Sequence, residues 1–478
     1  MSTKYKATIG LEIHAELKTA TKMFCDSKND PFESKANEHV CPICMGHPGT
    51  LPVINKKAVE SVLRVGTAIN AELADFTEFD RKNYFYPDIP KGYQLSQYKY
   101  PLVKGGELAG VKITRVHLEE DTASSSHDEG DYSLVDFNRA GVPLMELVTE
   151  PVIHSAEEVG NFGRELQLLL RTLGVSEANM EKGEMRLEVN VSVSDTDKLG
   201  TKVEVKNIGS FKAAEKATEY EIARHIEVLE SGGKIEQETR GWDDNKGKTI
   251  SQRKKEDSHD YRYFPDPDLP KLKLSEIPEF SKEKLKASLP ELPWEKRKRY
   301  TDLGLKTTDV YIYVNVPEVG QFFEAVAAAL GNKKESTLLA SNYISSDILG
   351  LIKKKHGEGK EGEIERLPFS ANEFAKLISL IEKKTISSRG AKDTLAIMFE
   401  KGGDAEKIAN DAGLIQKSDE GAIKKMAEEL VAENPKAVDE YKAGKAASLM
   451  FLVGQGMKKS KGSANPEVLK SALLSLLA

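Results

Sequence analysis

The chain has 478 residues, 39% of them hydrophobic and 30% charged, with a formal net charge of −7. That length predicts two or three domains, and no apolar run approaches the roughly 18 residues that a membrane-spanning helix needs. The acidic balance excludes a protein that grips nucleic acid through bulk positive charge and leaves room only for a local basic surface.

The opening, MSTKYKATIGLEIHAELK, has neither the apolar core of a signal peptide nor the Arg/Ser-rich character of a transit peptide, so a cytoplasmic address is expected. Up to about residue 290 the pattern is α+β. YKATIGLEIHAEL, GVKITRVHLEE, YSLVDFN and MRLEVNVSV alternate apolar and polar residues between Gly, Pro and Asp turns, which predicts an antiparallel sheet. Two amphipathic helices interrupt it. The first starts at the N-cap Ser155 with Glu157 and Glu158 in its first turn, and the second, FKAAEKATEYEIARHIEVLESGG, ends on a Gly pair. PDPDLPKLKLSEIPEF then changes the texture, and the pattern beyond it is helical. Boundaries are placed near residues 293 and 405, giving segments 1–293, 294–405 and 406–478.

Two phosphate-loop look-alikes carry no phosphate chemistry. Gly357-Glu-Gly-Lys-Glu-Gly362 fits G-x-G-x-x-G but follows a Lys run instead of an apolar strand. Gly247-Lys248-Thr249 lacks the correctly spaced upstream glycine and reads as a hairpin turn. The only three cysteines, Cys25, Cys41 and Cys44, crowd into one short window with a C-x₂-C knuckle. They read either as a structural zinc site lacking an obvious fourth ligand, with His39 and Asp26 nearby, or as a metal-free knuckle.

Acids and histidines are more informative. On a strand, Glu12 and His14 share a face because side chains alternate with period two. Arg115-Val-His117-Leu-Glu119-Glu120-Asp121 and Arg186-Leu-Glu188-Val-Asn190 offer further acceptors, the kind of set a few-carboxylate Mg²⁺ site uses. Each alone is equally an ordinary solvated strand face. The segments 81–94 and 260–268 interleave cations, aromatics and prolines, a mixture suited to phosphates and base or sugar faces or to a Pro-rigid aromatic turn.

Taken together, IGLEIHAELKTATKMF, CPICMGHPGTLPVIN, FDRKNYFYPDIPKGYQLSQY, RVHLEEDTASSSH, VPLMELVTEP, VEVKNIGSFKAAEKATEYEIARH, DYRYFPDPDLP and FLVGQGMKKSKGSANP closely resemble the B subunits of tRNA-dependent amidotransferases acting on Glu-tRNA(Gln) and Asp-tRNA(Asn). The resemblance spans nearly the whole chain. It implies an antiparallel-sheet cradle, an all-α helical domain and a small helical tail contacting tRNA, the tail supplying Lys442, Lys445, Lys458, Lys459 and Lys461. It implies ATP-dependent phosphorylation of the tRNA-linked carboxylate, followed by attack of ammonia delivered from an amidase-type A subunit, with a small C subunit completing a heterotrimer.

Carried over residue by residue, it assigns Mg²⁺ to Glu12, His14, Glu120 and Glu188, and phosphate or charge contacts to Lys82 and Lys91. Glu146 and Glu150 fall on the ammonia path or behind the metal. Glu188 stands where the family usually has Asp, and Cys25-Asp26-Ser27 where zinc-bearing members have Cys-x-Cys. The first departure keeps a second reading open, a non-catalytic tRNA-binding scaffold of the same complex.

Overall fold

The alternation in KATIGLEIHAE becomes the strand Lys6–Glu16 (β1), with Ile9, Leu11, Ile13 and Ala15 buried on one face. In the computed structural model, which describes residues 4–32, 34–126, 130–254, 261–416, 420–460 and 464–477, β1 is the centre of a 13-stranded sheet. The longer strands are Asp80–Asn83 (β2), Tyr93–Ser96 (β3), Val111–Glu120 (β4), Pro143–Thr149 (β5), Met185–Ser194 (β6), Val203–Lys206 (β7), Glu238–Asp243 (β8) and Lys248–Lys254 (β9). With the short Phe264–Pro265 (β10), they run in the order β9-β8-β7-β6-β1-β5-β4-β3-β2-β10. Neighbours along this path are antiparallel except β7 and β8, which are parallel. YSLVDFN yields only Leu134–Asp136, which pairs with Ser124–Ser126 outside that sheet.

Helices complete this unit. Ala156–Thr172 (α2) begins as the sequence predicts, with the Ser155 hydroxyl accepting from the Glu158 N–H. Phe211–Glu230 (α3) packs on α2 and β6. A third amphipathic helix, Lys56–Ala68 (α1), is one the sequence pattern does not announce; Asn55 caps it by accepting from the N–H groups of Lys57 and Ala58. Its Asn-before-helix signal falls short of the Ser-plus-acid pattern that marks α2.

The described chain separates into two compact units, Met1–Pro293 and Trp294–Ala478. The second is helical throughout its regular elements, and Ser370 and Glu373 form a reciprocal capping box at the start of Ala371–Glu382. Inside it, Ile423, Leu430, Leu452, Leu469 and Leu473 share a core drawn from Glu420–Glu433, Ala447–Lys459 and Pro466–Leu477. The α+β class with a helical C-terminal part is thus the observed one. Gly357 closes the helix Leu349–His356 with φ of 95°, so the look-alike glycine loop there joins two helical elements. Gly247 turns the β8–β9 hairpin. Among the described residues no helix is long and apolar enough to cross a membrane.

Candidate active site

One face of the sheet is apolar and packs against helices; the other carries charge. The register explains how. His14 on β1 lies opposite Arg186 on β6 and Glu146 on β5, and Glu146 lies opposite His117 on β4, so four polar side chains form one row across four strands. One pleat further along, Glu12 lies opposite Glu188, whose next neighbour is Lys206 on β7. Glu204, also on β7, faces Asn190.

Contacts within this row are close. His14 Nε2 is 3.4 Å from Glu119 Oε1 and 3.6 Å from Glu146 Oε2, and His117 Nε2 is 3.2 Å from the same Glu146 oxygen. Arg115 Nη2 reaches Glu146 Oε1 at 3.4 Å. Burial works against the charged form of His14, but hydrogen bonds and charges from Glu119 and Glu146 outweigh it and push its pKa up to about 10. Burial would likewise raise Glu146, yet His117 and His14 hold it far below the usual carboxylate range. Glu12 moves the other way, raised by burial and by the charges of Glu146 and Glu188.

Potential ligand atoms lie within 4.8 Å of one another in three overlapping sets: Glu12, His14 and Glu146; His117, Glu119 and Glu146; Glu12, Glu188 and Glu204. Carboxylate oxygens with an imidazole nitrogen suit a hard divalent cation, and carboxylates pressed together this way gain from one. Two buried atoms, His117 Nδ1 and Asn190 Oδ1, have no hydrogen-bond partner among the described residues. The residues therefore fit a Mg²⁺-type ion.

The family resemblance groups Glu120 with Glu12 and His14; the structure brings Glu119 there instead. Adjacent residues on a strand point to opposite faces, so only one of the two acids can join the row. Glu120 turns the other way, accepting from Lys91 and from the Leu95 N–H. Lys91 is correspondingly spent on that ion pair, its ammonium also 5.6 Å from the Phe24 and Tyr93 rings. Lys82 lies over the rings of Tyr261 and Tyr84, at 5.1 and 5.9 Å. Glu150 is outside the row, accepting from the Thr114 hydroxyl at 2.7 Å. Glu188 keeps its place beside Glu12 despite being longer than Asp, with Lys206 3.0 Å away. Glu204 is a member that the sequence does not single out, and His117 and Glu119, offered there only among the acceptors of one strand, are gathered with the others by strand pairing.

The two aromatic segments become neighbours. β10 pairs with β2, setting Phe264 against Arg81, whose guanidinium bonds Asp266 at 2.6 Å and stacks over Tyr93 at 4.3 Å. Tyr98 and Tyr263 stack with centroids 4.2 Å apart. Asp260, the first residue of the second segment, lies outside the described residues, as does Lys461 of the tail. Of the other tail lysines, Lys445 pairs with Glu440 and Lys459 with Glu429 and Glu433.

The cysteines meet, but not as a complete zinc set. Cys25, Cys41 and Cys44 come together, while His39 bonds Ser34 at 2.6 Å and stays out of the group. Ser27 Oγ is 3.9 Å from Cys44 Sγ, and the buried Lys22 ammonium is 3.8 Å from the same sulfur. A hydrogen bond from Cys25 brings the Cys44 pKa down to about 4. Three thiol groups with a lysine and a serine do not make the four-ligand tetrahedron of a structural zinc site. Ser27→Cys should supply the fourth sulfur: after dialysis against a chelator, elemental analysis should find more zinc in that variant than in the parent chain.

Residues 7–278, which contain every side chain of the charged row, match the GatB/GatE catalytic domain, and residues 321–477 match the GatB domain. The chain belongs to the GatB/GatE family. Similar proteins include three named as the B subunit of aspartyl/glutamyl-tRNA(Asn/Gln) amidotransferase. That of Carboxydothermus hydrogenoformans is 43% identical over 99% of both chains, that of Thermus thermophilus 45% over 99% of both, and that of Caldanaerobacter subterraneus 44% over 98% of both. In this GatB/GatE chain the catalytic-domain match and the charged face of the sheet thus coincide.

Proposed function

We propose that the chain belongs to a tRNA-dependent amidotransferase and is the part of it that converts the side-chain carboxylate of misacylated Glu-tRNA(Gln), Asp-tRNA(Asn) or both into the amide. The observation that carries this reading is the row Arg186–His14–Glu146–His117 with Glu12 beside it, inside the segment that matches a catalytic domain. A carboxylate is a poor acceptor for ammonia until one oxygen becomes a leaving group. Transfer of the γ-phosphoryl of ATP to that oxygen gives an acyl phosphate and ADP; ammonia then attacks the carbonyl carbon, the C–O bond to phosphate breaks, and a proton leaves the new amide.

Both steps build up negative charge on phosphoryl oxygens, which positioned cations stabilise. Glu12, His14 and Glu146, with Glu188 and Glu119 adjacent, would hold Mg²⁺, whose contribution is positive charge against those oxygens. His117 beside Glu146 holds that carboxylate in its ionised form, so it is ready as a ligand at neutral pH. Lys82, flanked by Tyr84 and Tyr261, supplies a cation beside an aromatic wall suited to the sugar or base of the tRNA end or the nucleotide. Ammonia would come from an amidase-type A subunit, with a small C subunit bracing the pair, in a cytoplasmic complex; Glu150, beyond the row, remains a candidate for its path.

The test is reconstitution. The chain with its partner subunits, glutamine, ATP, Mg²⁺ and misacylated tRNA should yield amidated tRNA and ADP, and His14→Ala should abolish both products while leaving tRNA binding intact. Wild-type activity surviving His14→Ala would support the scaffold reading instead.

A further inference from the structure

Two arginines, Arg186 at the end of the charged row and Arg139 beside it, are held in a way that the metal set does not use. Arg186, opposite His14 in the register, donates from Nη2 to Asp121 Oδ2 at 2.7 Å. Arg139 comes to the same oxygen from the turn before β5, with Nε 3.9 Å away. Its Nε and Nη2 donate to the carbonyls of Thr122 and Ala123, each at 3.0 Å.

Asp121 itself is buried, its side chain 3% exposed, whereas the side chains of Arg186 and Arg139 are 36% and 21% exposed. Among the described residues, Nε and Nη1 of Arg186 and Nη1 of Arg139 have no hydrogen-bond partner. Asp121, with Glu16 close by, thus holds two part-exposed guanidinium groups side by side, each keeping donors without a hydrogen-bond partner among the described residues.

We propose that Arg139 and Arg186 form a phosphoryl clamp at the edge of the His14–Glu146 row, binding the γ-phosphoryl group of ATP as it moves to the carboxylate, with Asp121 as their positioning residue. The proposal rests on the amidotransferase reading and adds residues that hold the phosphoryl group. A planar fork with parallel donors matches tetrahedral phosphoryl oxygens better than a lysine ammonium does. Placement next to His14 sets the bound group at the border of the cation site, where charge develops during transfer.

The test uses the assembled complex and four variants: Arg186→Lys, Arg186→Gln, Arg139→Gln and Arg186→Ala. ADP release dependent on misacylated tRNA should fall about a hundredfold in each, the size expected on losing one preorganised donor to a developing oxyanion. Equilibrium dialysis should show weakened ATP binding with AMP binding unchanged, since AMP has no γ-phosphoryl, and tRNA binding should stay at the wild-type level. Guanidinium ion added to Arg186→Ala should restore part of the rate, which a merely structural role would not allow. Unchanged ADP release in the Gln variants overturns the clamp. So does loss of tRNA binding with ATP binding intact, which would give the arginines to the tRNA backbone. If the wild-type complex itself releases no ADP with misacylated tRNA, the amidotransferase reading fails, and the clamp with it.

Discussion

Glu146→Gln is expected to lower amidated-tRNA formation by about a hundredfold, the upper end of the range seen when a metal site loses its support. Gln keeps the size of the side chain and removes the charge. Glu146 touches His14, His117 and Arg115 and, like Glu12, belongs to two of the three candidate ligand sets, so it links both histidines of the row. Mn²⁺ titration of the variant should show weaker binding. In the metal-free chain, His14 should titrate well below its wild-type value of about 10, because one of its two carboxylate partners has become neutral. The sign follows from the raised pKa. The stabilisation from charged His14 is complete below its unfolded value near 6.5 and disappears as pH rises towards 10, and Glu146→Gln should flatten that decline. An unchanged rate with unchanged His14 titration, followed by NMR, would remove Glu146 from the site.

The second large effect concerns stability. Glu221 is fully buried on α3, accepting from Arg224 Nη2 at 2.8 Å and from the Thr249 hydroxyl, with Arg240 Nε 3.2 Å and His225 Nε2 3.3 Å away. It ties α3 to the β8–β9 hairpin. Glu221→Ala removes the buried carboxylate from the half-buried Arg224 and Arg240, which keep Glu238 beside them, and should cost about 3 kcal/mol, the lower end of the range for breaking a buried pair, measured as a lower urea midpoint. Burial would raise the Glu221 pKa, but its contact with His225 and its bonds from Arg224 and Thr249 hold it at about 2. Its contribution is therefore present above pH 4.5 and is lost as pH falls from there towards 2. The Ala variant should lack that part of the acid transition. A midpoint within experimental error of wild type would show the network to be replaceable.

Much of the architecture is legible because local rules govern it. Period-two alternation marks β1, β4 and β6, and Ser155 with its two following acids marks the start of α2. The same alternation puts Glu12 and His14 on one face whatever strands they pair with. α1 is harder to see because its single cap residue, Asn55, comes without acids in the first turn.

The sequence by itself determined which residues on each strand share a face, since the pleat leaves no choice, and it carried the family resemblance block by block. Tertiary structure alone decided which faces meet. Glu119 rather than Glu120 joins His14, and Glu146 rather than Glu150 lies between the histidines, because the register between paired strands sets those distances. Glu204 reaches Glu12, and Arg186 and Arg139 meet over Asp121, for the same reason. A one-residue shift of β4 would have reversed the first choice, and the spacing of acids along a single strand does not encode the register of its neighbour.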